Sequence, residues 1–367
     1  MKKILVATTN FGLGPVGKLY SIVNAGKGKF EWYACGQKFD FGIFEENIFR
    51  DSCWTMDKYE LQEFINKNNI KIALVVLKNK MARILKDIGM KVIYVDSLPF
   101  MWTLEDYKQG KVPVDMDAYC AQKTLSLDSK SSEIFKNVNN VKWINPILPV
   151  INQKENNSKE MEKDYILINL GGLHSPVGTG EEYIKAVINP LIQILIGSMK
   201  KTEKIYITCG TEAERNLKRL LSMYPSVKIC TLTQNNFIEK IKYSKLFITS
   251  PGLTTILETL NLQKPSVILP PQNLSQFYNI EFAKEHLKVY KIIEWNDDIL
   301  SLKYLKNIDK IESEIVKKIY NRIKELSETK DLKNEIIRCM DDEFIINNNF
   351  KKIKNGTLEV INILEEV

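Results

Sequence analysis

Residues 246–283 read LFITSPGLTTILETLNLQKPSVILPPQNLSQFYNIEFA, and this stretch shows the order of strands and helices that predicts the fold. An apolar run is followed by a Ser-Pro-Gly turn, a helical pattern, a Lys-Pro turn, a second apolar run, a Pro-rich loop and a further helix that we predict to begin near Gln276. Strands that alternate with helices indicate βαβ units and a parallel sheet. The stretch therefore predicts part of a doubly wound α/β domain.

The same alternation continues on both sides of this stretch, in two blocks. Predicted strands of the first block are the apolar runs 4–8, 30–35, 72–77, 92–95, 118–121 and 141–144. Those of the second block are 165–170, 205–209, 227–230, 246–249, 266–269 and 289–293. The segment NQKENNSKEMEK at residues 152–163, between the blocks, has Met161 as its only apolar residue and predicts a linker.

These patterns predict an α/β protein with two doubly wound, Rossmann-like domains that face each other across a cleft. We expect an N-terminal α/β domain over residues 1–151, a linker over 152–163 and a C-terminal α/β domain over 164–345. Residues 346–367 are predicted to form a C-terminal helical segment that could pack on either domain. Ligands of open α/β sheets bind beyond the carboxyl ends of the strands. Two such domains therefore suit a reaction with two substrates, one for each domain.

The composition indicates a globular protein and argues against several other classes. Of the 367 residues, 44% are hydrophobic and 26% are charged, which is ordinary for a globular protein, and the net charge is +7. The lysines are dispersed, so nucleic-acid binding is not expected. The six cysteines form no C-x-x-C pair, which argues against a zinc or redox motif. The start, MKKILVATTNFG, predicts a strand rather than a signal peptide, and no run is long enough for a transmembrane helix, so we expect a cytoplasmic protein.

The turn that follows residues 246–249 carries a pattern that suits a nucleoside diphosphate. Gly252 and Thr254 lie where a helix should begin, and free N–H groups together with the helix dipole favour an anion there. Glu258 lies one turn further on, where its carboxylate can accept two ribose hydroxyls. Gln276 and Asn279 share one face of the next helix, where they can hydrogen-bond sugar hydroxyls. The alternative is that the hydroxyls only cap the helix and that Gln276 and Asn279 face solvent.

The pattern S-x-G-x-x-T-x-x-E, followed by a strand that ends in Pro and then by Q-x-x-N, resembles the donor-site signature of GT-B glycosyltransferases. It is similar in particular to the family of the N-acetylglucosaminyltransferase that forms lipid II. The resemblance implies the GT-B fold, a UDP-sugar donor and transfer with inversion by direct displacement. It places Gly252 and Thr255 at the diphosphate and Glu258 at the ribose. It places Gln276 and Asn279 at the donor sugar.

A second glycine-rich turn, Gly171-Gly172-Leu-His174, directly follows the predicted strand 165–170. Such a turn lets the backbone approach a phosphate closely, and the resembled family has a Gly-Gly-Ser loop at this place. Gly171 and Gly172 are therefore predicted donor-site residues. His174 is one of two histidines in the chain, and it is predicted to contact the diphosphate or to move protons. The alternative is a loop histidine that faces solvent.

The segment Gly12-Leu-Gly14-Pro-Val-Gly17-Lys18 follows the first predicted strand and has the shape of a P-loop. A P-loop needs Ser or Thr after the lysine, and Leu19 stands there, so an NTPase is not predicted. In the GT-B resemblance a glycine-rich loop at this point approaches the acceptor, which makes Gly14 and Gly17 predicted acceptor-site residues. The family usually carries His after the last glycine. Lys18 in that place is a candidate catalytic residue.

The first block also contains a carboxylate followed by aromatic residues. Asp96 ends a predicted strand and can act as general base on an acceptor, while Phe100 and Trp102 can stack on it. The alternative is an aspartate that caps a turn and a tryptophan that covers the core. Asp115 and Asp117 form a D-x-D, a metal motif of other glycosyltransferases, but a proline precedes it where a buried strand should be. We therefore predict no metal, and no cofactor besides the UDP-sugar co-substrate.

The glycine-rich loop, the run D-S-L-P-F-x-W, and the residues D-A-Y and A-Q within 117–122 together resemble cytosylglucuronate synthases. Those enzymes join glucuronate from UDP-glucuronate to cytosine in nucleoside antibiotic biosynthesis. The resemblance implies a flat base stacked on Phe100 and Trp102, and an anionic group, such as the uronate, paired with Lys18. Three alternatives stay open. They are a GT-B transferase with a lipid-linked or saccharide acceptor, a UDP-sugar 2-epimerase, and a nucleotide-binding protein without enzymatic activity.

Overall fold

The computed structural model describes residues 1–9, 13–38, 44, 47–124, 133–150, 164–171, 180–198, 203–284, 290–293, 317–319, 321–322, 325, 331–341 and 353–367. The chain divides into two compact units, each built on one parallel β-sheet. Unit 1 contains residues 1–156, 233–235 and 352–367. Unit 2 contains residues 157–232 and 236–351.

The sheet of unit 1 has seven strands in the order β3-β2-β1-β4-β5-β6-β7, and all neighbours are parallel. The strands are β1 (Lys2–Thr8), β2 (Phe30–Cys35), β3 (Phe49–Cys53), β4 (Ile72–Val76), β5 (Lys91–Asp96), β6 (Ala118–Gln122) and β7 (Val141–Ile144). All except β3 lie on predicted runs. β3, with the sequence FRDSC, is an edge strand whose middle residues are exposed, so it lacks the apolar run by which the others are recognised.

Four helices of unit 1 follow its strands: α1 (Gly14–Ala25), α2 (Lys58–Asn68), α3 (Asn79–Asp87) and α4 (Leu104–Lys108). Local sequence fixes where two of them begin. Asp57 accepts hydrogen bonds from the N–H groups of Tyr59 and Glu60 and so caps α2. Thr103 and Asp106 form a reciprocal capping box at the start of α4.

The core of unit 1 has two layers, one on each face of the sheet. Ile4 and Val6 of β1 belong to a cluster that contains Leu19 of α1. Leu5, between them, belongs to the opposite cluster, together with residues of α2 and α3. A strand that is buried on both faces needs apolar residues at successive positions, which is why the central strands appear in the sequence as unbroken apolar runs.

The C-terminal helix α11 (Thr357–Glu366) completes one of these layers. It packs on α1, and its residues Val360 and Leu364 are buried in the same cluster as that helix. Glu359 accepts a hydrogen bond of 3.1 Å from the backbone N–H of Asn145, which follows β7. The sequence left open which domain this segment covers, and the structure shows that it covers the sheet of unit 1.

The sheet of unit 2 has six parallel strands in the order β10-β9-β8-β11-β12-β13. They are β8 (Tyr165–Asn169), β9 (Lys204–Thr208), β10 (Val227–Cys230), β11 (Leu246–Thr249), β12 (Ser266–Ile268) and β13 (Tyr290–Ile292). The main helices are α5 (Asn189–Ser198), α6 (Thr211–Leu220), α7 (Gln234–Tyr243), α8 (Leu253–Leu262), α9 (Leu274–Lys284) and α10 (Asp331–Asp341). All six strands lie on predicted runs.

Two details of unit 2 differ from the sequence-based expectation. Helix α5 is preceded by a π-helical turn, Ile184–Ile188, which periodicity does not reveal. Helix α9 begins two residues before Gln276, because the Oδ1 atom of Asn273 accepts the N–H of Gln276 at 3.1 Å and caps the helix. Among the described residues no helix is long and apolar enough to cross a membrane.

Candidate functional site

The strand order of unit 2 identifies one edge of its sheet as the place for a ligand. Strands β9 and β10 lie on one side of β8, and β11 to β13 lie on the other. Asn169, the last residue of β8, is the register partner of Thr249, the last residue of β11. Ligands of open α/β sheets bind beyond the carboxyl ends of the strands at such a point of reversal. The turns that follow β8 and β11 therefore border the candidate site.

The turn after β11 leads into α8 without a side-chain cap. Gly252 is the N-cap residue and donates its N–H to the carbonyl oxygen of Ser250 at 2.7 Å, which closes the Ser-Pro-Gly turn. The first turn of the helix contains no acidic residue. The Oγ1 atom of Thr254 is buried and has no hydrogen-bond partner. An uncapped helix start with an unsatisfied hydroxyl offers hydrogen-bond donors and positive potential to an anion.

Asn169 connects this turn with the turn after β8. Its Nδ2 atom donates to the Oγ1 atoms of Thr249 at 3.0 Å and Thr255 at 3.4 Å. Its Oδ1 atom accepts the N–H of Gly171 at 3.2 Å and the hydroxyl of Thr208 at 3.3 Å. One side chain thus links the ends of β8, β9 and β11 and the first turn of α8. Asn169 is not recognisable from the sequence, because a single Asn at a strand end has no motif of its own.

Gly171 is the described part of the predicted glycine-rich turn. Its φ of 60° lies in the left-handed region that glycine adopts without strain. Its N–H is donated to Asn169, and its carbonyl oxygen accepts the N–H of Gly210 at 3.2 Å. Gly171 therefore shapes the turn, and its own N–H is already engaged. Gly172 and His174 lie outside the described residues, and their predicted roles stay predictions.

The two amides predicted to contact a donor sugar both hold the turns of the site. Gln276 accepts the backbone N–H of Gln272 at 2.6 Å through its Oε1 atom. Asn279 is buried and donates to the carbonyl oxygen of Pro251 at 2.8 Å, while its Oδ1 atom has no partner. Gln272, which no sequence motif indicates, donates from Nε2 to the Oγ atom of Ser250 at 3.0 Å. A sugar contact by Gln276 or Asn279 stays a prediction.

Glu258 lies on α8, one turn after the helix start, as the motif requires, and only 3% of its surface is exposed. Its place next to the uncapped start of α8 is compatible with the predicted contact to ribose.

In unit 1 the carboxyl edge contains the predicted base. Asp96 ends β5, and 1% of its surface is exposed. Its Oδ1 atom accepts the N–H of Leu98 at 2.8 Å, and its Oδ2 atom accepts Trp102 Nε1 at 2.6 Å and the hydroxyl of Tyr119. Burial raises the pKa of Asp96 above its ordinary value, and these hydrogen bonds lower it in part. These contacts are the ones expected of the alternative interpretation, in which Asp96 caps a turn and Trp102 covers the core. The role of Asp96 as a base stays a prediction.

The glycine-rich segment after β1 differs from the expected loop. Gly14 is the first residue of α1, and Gly17 is helical, with its N–H donated to the carbonyl oxygen of Leu13 at 2.8 Å. Pro15 favours this helix start because its fixed φ suits the first turn. Lys18 is buried on the same helix and donates from Nζ to Oε1 of Gln122 at 2.9 Å. This buried position was not evident from the motif.

The remaining predicted acceptor residues lie close to Asp96 in sequence. Phe100 is buried within a short 3₁₀ turn, and Trp102, just after it, is half-buried against the core. Of the D-x-D pair, Asp117 accepts the N–H of Val92 at 2.8 Å and Lys86 Nζ at 3.2 Å. These contacts lower the pKa of Asp117. Among the described residues no group of three or more His, Cys, Asp or Glu side chains could hold a metal ion.

Comparison with known proteins gives one family match, which covers most of unit 2. The glycosyltransferase family 28 C-terminal domain matches residues 184–336, all of which lie in unit 2 except residues 233–235. The chain is similar to the crystal structure of MurG from Acinetobacter baumannii, with 11% identity, a TM-score of 0.50 and 100% of both chains covered. It is also similar to the UDP-GlcNAc 2-epimerase of Methanocaldococcus jannaschii in complex with UDP-GlcNAc and UDP, with 12% identity, a TM-score of 0.61 and 100% of both chains covered.

A third similar structure is the spinosyn rhamnosyltransferase SpnG, with 9% identity, a TM-score of 0.58 and 100% of both chains covered. No curated protein matches the sequence. At these identities the solved structures show the fold, which is GT-B, with two parallel-sheet α/β domains. The matched family 28 domain, taken together with this fold, supports a nucleotide-sugar-dependent glycosyltransferase.

The contacts of Asp96 lead to a prediction about stability. We expect Asp96→Asn to lower the free energy of unfolding by about 2 kcal/mol, because an amide NH₂ would face an N–H or O–H that then has no acceptor. Trp102→Phe removes one donor and keeps the carboxylate, so it should cost about 1 kcal/mol. Urea unfolding measures both. An Asp96→Asn protein that unfolds like the wild type but transfers no sugar would support the role of general base instead.

Proposed function

We propose that the protein transfers a sugar from a UDP-sugar to a small acceptor, with inversion at the anomeric carbon. The observation that supports this most is the uncapped start of α8, with its unsatisfied Thr254 hydroxyl, at the point where the strand order of unit 2 reverses. A similar structure contains UDP-GlcNAc and UDP, which favours uridine as the base of the donor nucleotide.

The donor side follows from the geometry of unit 2. In transfer by displacement the diphosphate gains negative charge as it leaves, and the N–H groups and dipole of α8 stabilise that charge best when they are already oriented. Gly252 leaves this end open, and the hydroxyls of Thr254 and Thr255 can donate to phosphate oxygens. In this proposal Gly171 and Gly172 border the diphosphate, Glu258 binds the ribose, and Gln276 and Asn279 approach the sugar. The proposal assigns no metal.

The acceptor must lose a proton as it attacks. Asp96 is our first candidate for that proton, and His174 and Lys18 are the others. Asp96 accepts three hydrogen bonds, and a carboxylate has about four lone-pair positions, so one on Oδ1 is left for an acceptor. Gly14, Gly17, Phe100 and Trp102 stay the proposed acceptor residues. The half-buried Trp102 presents more surface than Phe100 does.

We propose glucuronate and cytosine as donor sugar and acceptor, because the acceptor-side motifs resemble cytosylglucuronate synthases. Trp102 then stacks on the base, and Lys18 pairs with an anionic group of the substrate. The ammonium of Lys18 donates one hydrogen bond to Gln122, so an anion would have to accept from another of its three N–H groups. A place in nucleoside antibiotic biosynthesis and a cytoplasmic location belong to the same proposal. The six cysteines are all free thiols, as in a reducing compartment.

Two measurements test the proposal. A ligand that binds the native state raises its apparent stability, by about 2.7 kcal/mol at a concentration of 100 times Kd. We therefore expect UDP and UDP-sugars to raise the melting temperature, and GDP and TDP to have little effect. Incubation with UDP-glucuronate and cytosine should then release UDP and form the conjugate, as measured by mass spectrometry.

The outcomes of this incubation separate the alternatives. UDP release with a lipid-linked or saccharide acceptor, but none with cytosine, would retain the transferase and reject the proposed acceptor. Conversion of a UDP-sugar to its 2-epimer without any acceptor would indicate the epimerase. Binding of UDP with no turnover under any of these conditions would indicate a nucleotide-binding protein.

A further inference from the structure

We propose that Asn169 is a positioning residue that orients the hydroxyl of Thr255 toward the diphosphate and holds the two turns of the donor site in register. This inference rests on the proposed function. It concerns a residue that no donor-site motif contains, at the last position of β8. Only 6% of the surface of Asn169 is exposed, and both polar atoms of its side chain are engaged.

The direction of each hydrogen bond is fixed by the chemistry of the amide. The Nδ2 atom of Asn169 can only donate, so the hydroxyls of Thr249 and Thr255 must accept. A hydroxyl that accepts in this way keeps its own hydrogen for another partner. For Thr249 that partner is the carbonyl oxygen of Ser250 at 2.8 Å. The hydroxyl hydrogen of Thr255 then points away from Asn169, and in this proposal a phosphate oxygen at the uncapped start of α8 accepts it.

The other half of the amide acts on the turn after β8. The Oδ1 atom of Asn169 accepts the N–H of Gly171, whose left-handed conformation directs the chain out of the strand. It also accepts the hydroxyl of Thr208 at the end of β9. The same planar group therefore fixes the turn after β8 and the start of α8. A shift of one relative to the other would break bonds to Asn169 on one side.

The test compares UDP with uridine, which lacks the diphosphate. Hydrogen bonds to charged groups are stronger than those between neutral groups, so loss of one ordered donor should weaken UDP binding by a factor of about ten or more. We expect Asn169→Leu to weaken UDP binding about tenfold by calorimetry and to leave uridine binding within about twofold of wild type. If Asn169 only supported the fold, its substitution would weaken the binding of UDP and of uridine by the same factor.

A double-mutant cycle tests the coupling between Asn169 and Thr255. If Asn169 acts through that hydroxyl, Thr255→Val and Asn169→Leu should each weaken UDP binding, and the double variant should be little weaker than either one. Thr259→Val is the matched control, because Thr259 is a buried threonine one turn further along α8, bonded to backbone carbonyls. It should bind UDP as the wild type does.

Asn169→Asp keeps the test decisive if the leucine variant does not fold. The aspartate retains the acceptor for Gly171 and Thr208, but an oxygen replaces Nδ2 and accepts the hydrogen of Thr255 instead of donating to that hydroxyl. It should weaken UDP binding more than Asn169→Leu does and spare uridine. Wild-type affinity for UDP in the Asn169 variants, equal loss of uridine and UDP, or additive effects in the cycle would each overturn the inference. Failure of the wild-type protein to bind UDP would reject the proposed function itself.

Discussion

Thr255→Asp should abolish UDP binding while the protein stays folded. Thr255 lies in the first turn of α8, which has no acidic residue and an N-cap glycine. A carboxylate there would lie close to the proposed diphosphate. Two like charges about 4 Å apart repel by about 4 kcal/mol at an effective dielectric constant of 20, so affinity should fall by a factor of 100 or more. The measurement is calorimetric titration with UDP, together with the rate of sugar transfer.

The same substitution should not harm the fold, because an acidic residue at a helix start interacts favourably with the dipole, by about 0.3–1 kcal/mol. Asn169 can also donate its Nδ2 hydrogen to the new carboxylate. Thr255→Asn is the matched control, since it has nearly the same shape as aspartate without the charge. We expect it to weaken UDP binding less than tenfold. If both variants lost the same UDP affinity, the effect would come from side-chain shape and not from charge. That result would argue against an anion at the start of α8.

Gly356→Ala should destabilise the protein by about 3 kcal/mol or more. A Cβ atom on Gly356 would overlap the carbonyl oxygen of Asn145 and lie 2.6 Å from its carbonyl carbon. Both are backbone atoms, so the clash can be relieved only if α11 moves away from the segment after β7. That movement would break the contacts of Glu359 with Asn145 and of Thr357 with Leu148. Urea unfolding followed by circular dichroism measures the loss.

Gly197→Ala is the matched control for this prediction. Gly197 lies in helix α5 with no atom near the position that a Cβ would take. Alanine there should raise the free energy of unfolding by up to about 1 kcal/mol, because alanine favours a helix over glycine. If Gly356→Ala were as stable as the wild type, α11 would not be held by the contacts described.

Much of the fold is predictable from the sequence, for a physical reason. A strand covered on both faces must be apolar throughout, so runs such as Ile72–Val76 are visible without an alignment. The edge strand Phe49–Cys53 has no such requirement, and it was missed. The side on which α11 packs depends on contacts between Glu359 and Asn145, which lie 214 positions apart in the chain. Periodicity within a segment contains no information about such pairs.

The candidate site was predictable in part. The motif located Gly252, Thr254 and Thr255 at a helix start, because the signal is local: a turn, then a helical period. The direction of a side chain is not local. The motif does not indicate that Asn279 bonds to the Pro251 carbonyl oxygen, and Asn169 gains its importance from three strands that are distant in sequence. Hydrogen bonds between residues that are distant in sequence can be identified only from the folded structure.

The position of α11 also affects how the protein is made. Residues up to Ile144 leave the ribosome early, but the helix that covers α1 is synthesised after the whole of unit 2. At translation rates of about 5–20 residues per second, that delay is about 10–40 s. During this interval the nascent chain exposes the apolar surface on which Val360 and Leu364 later pack. We therefore expect unit 1 to interact with chaperones during translation and to complete its folding only once α11 has been synthesised.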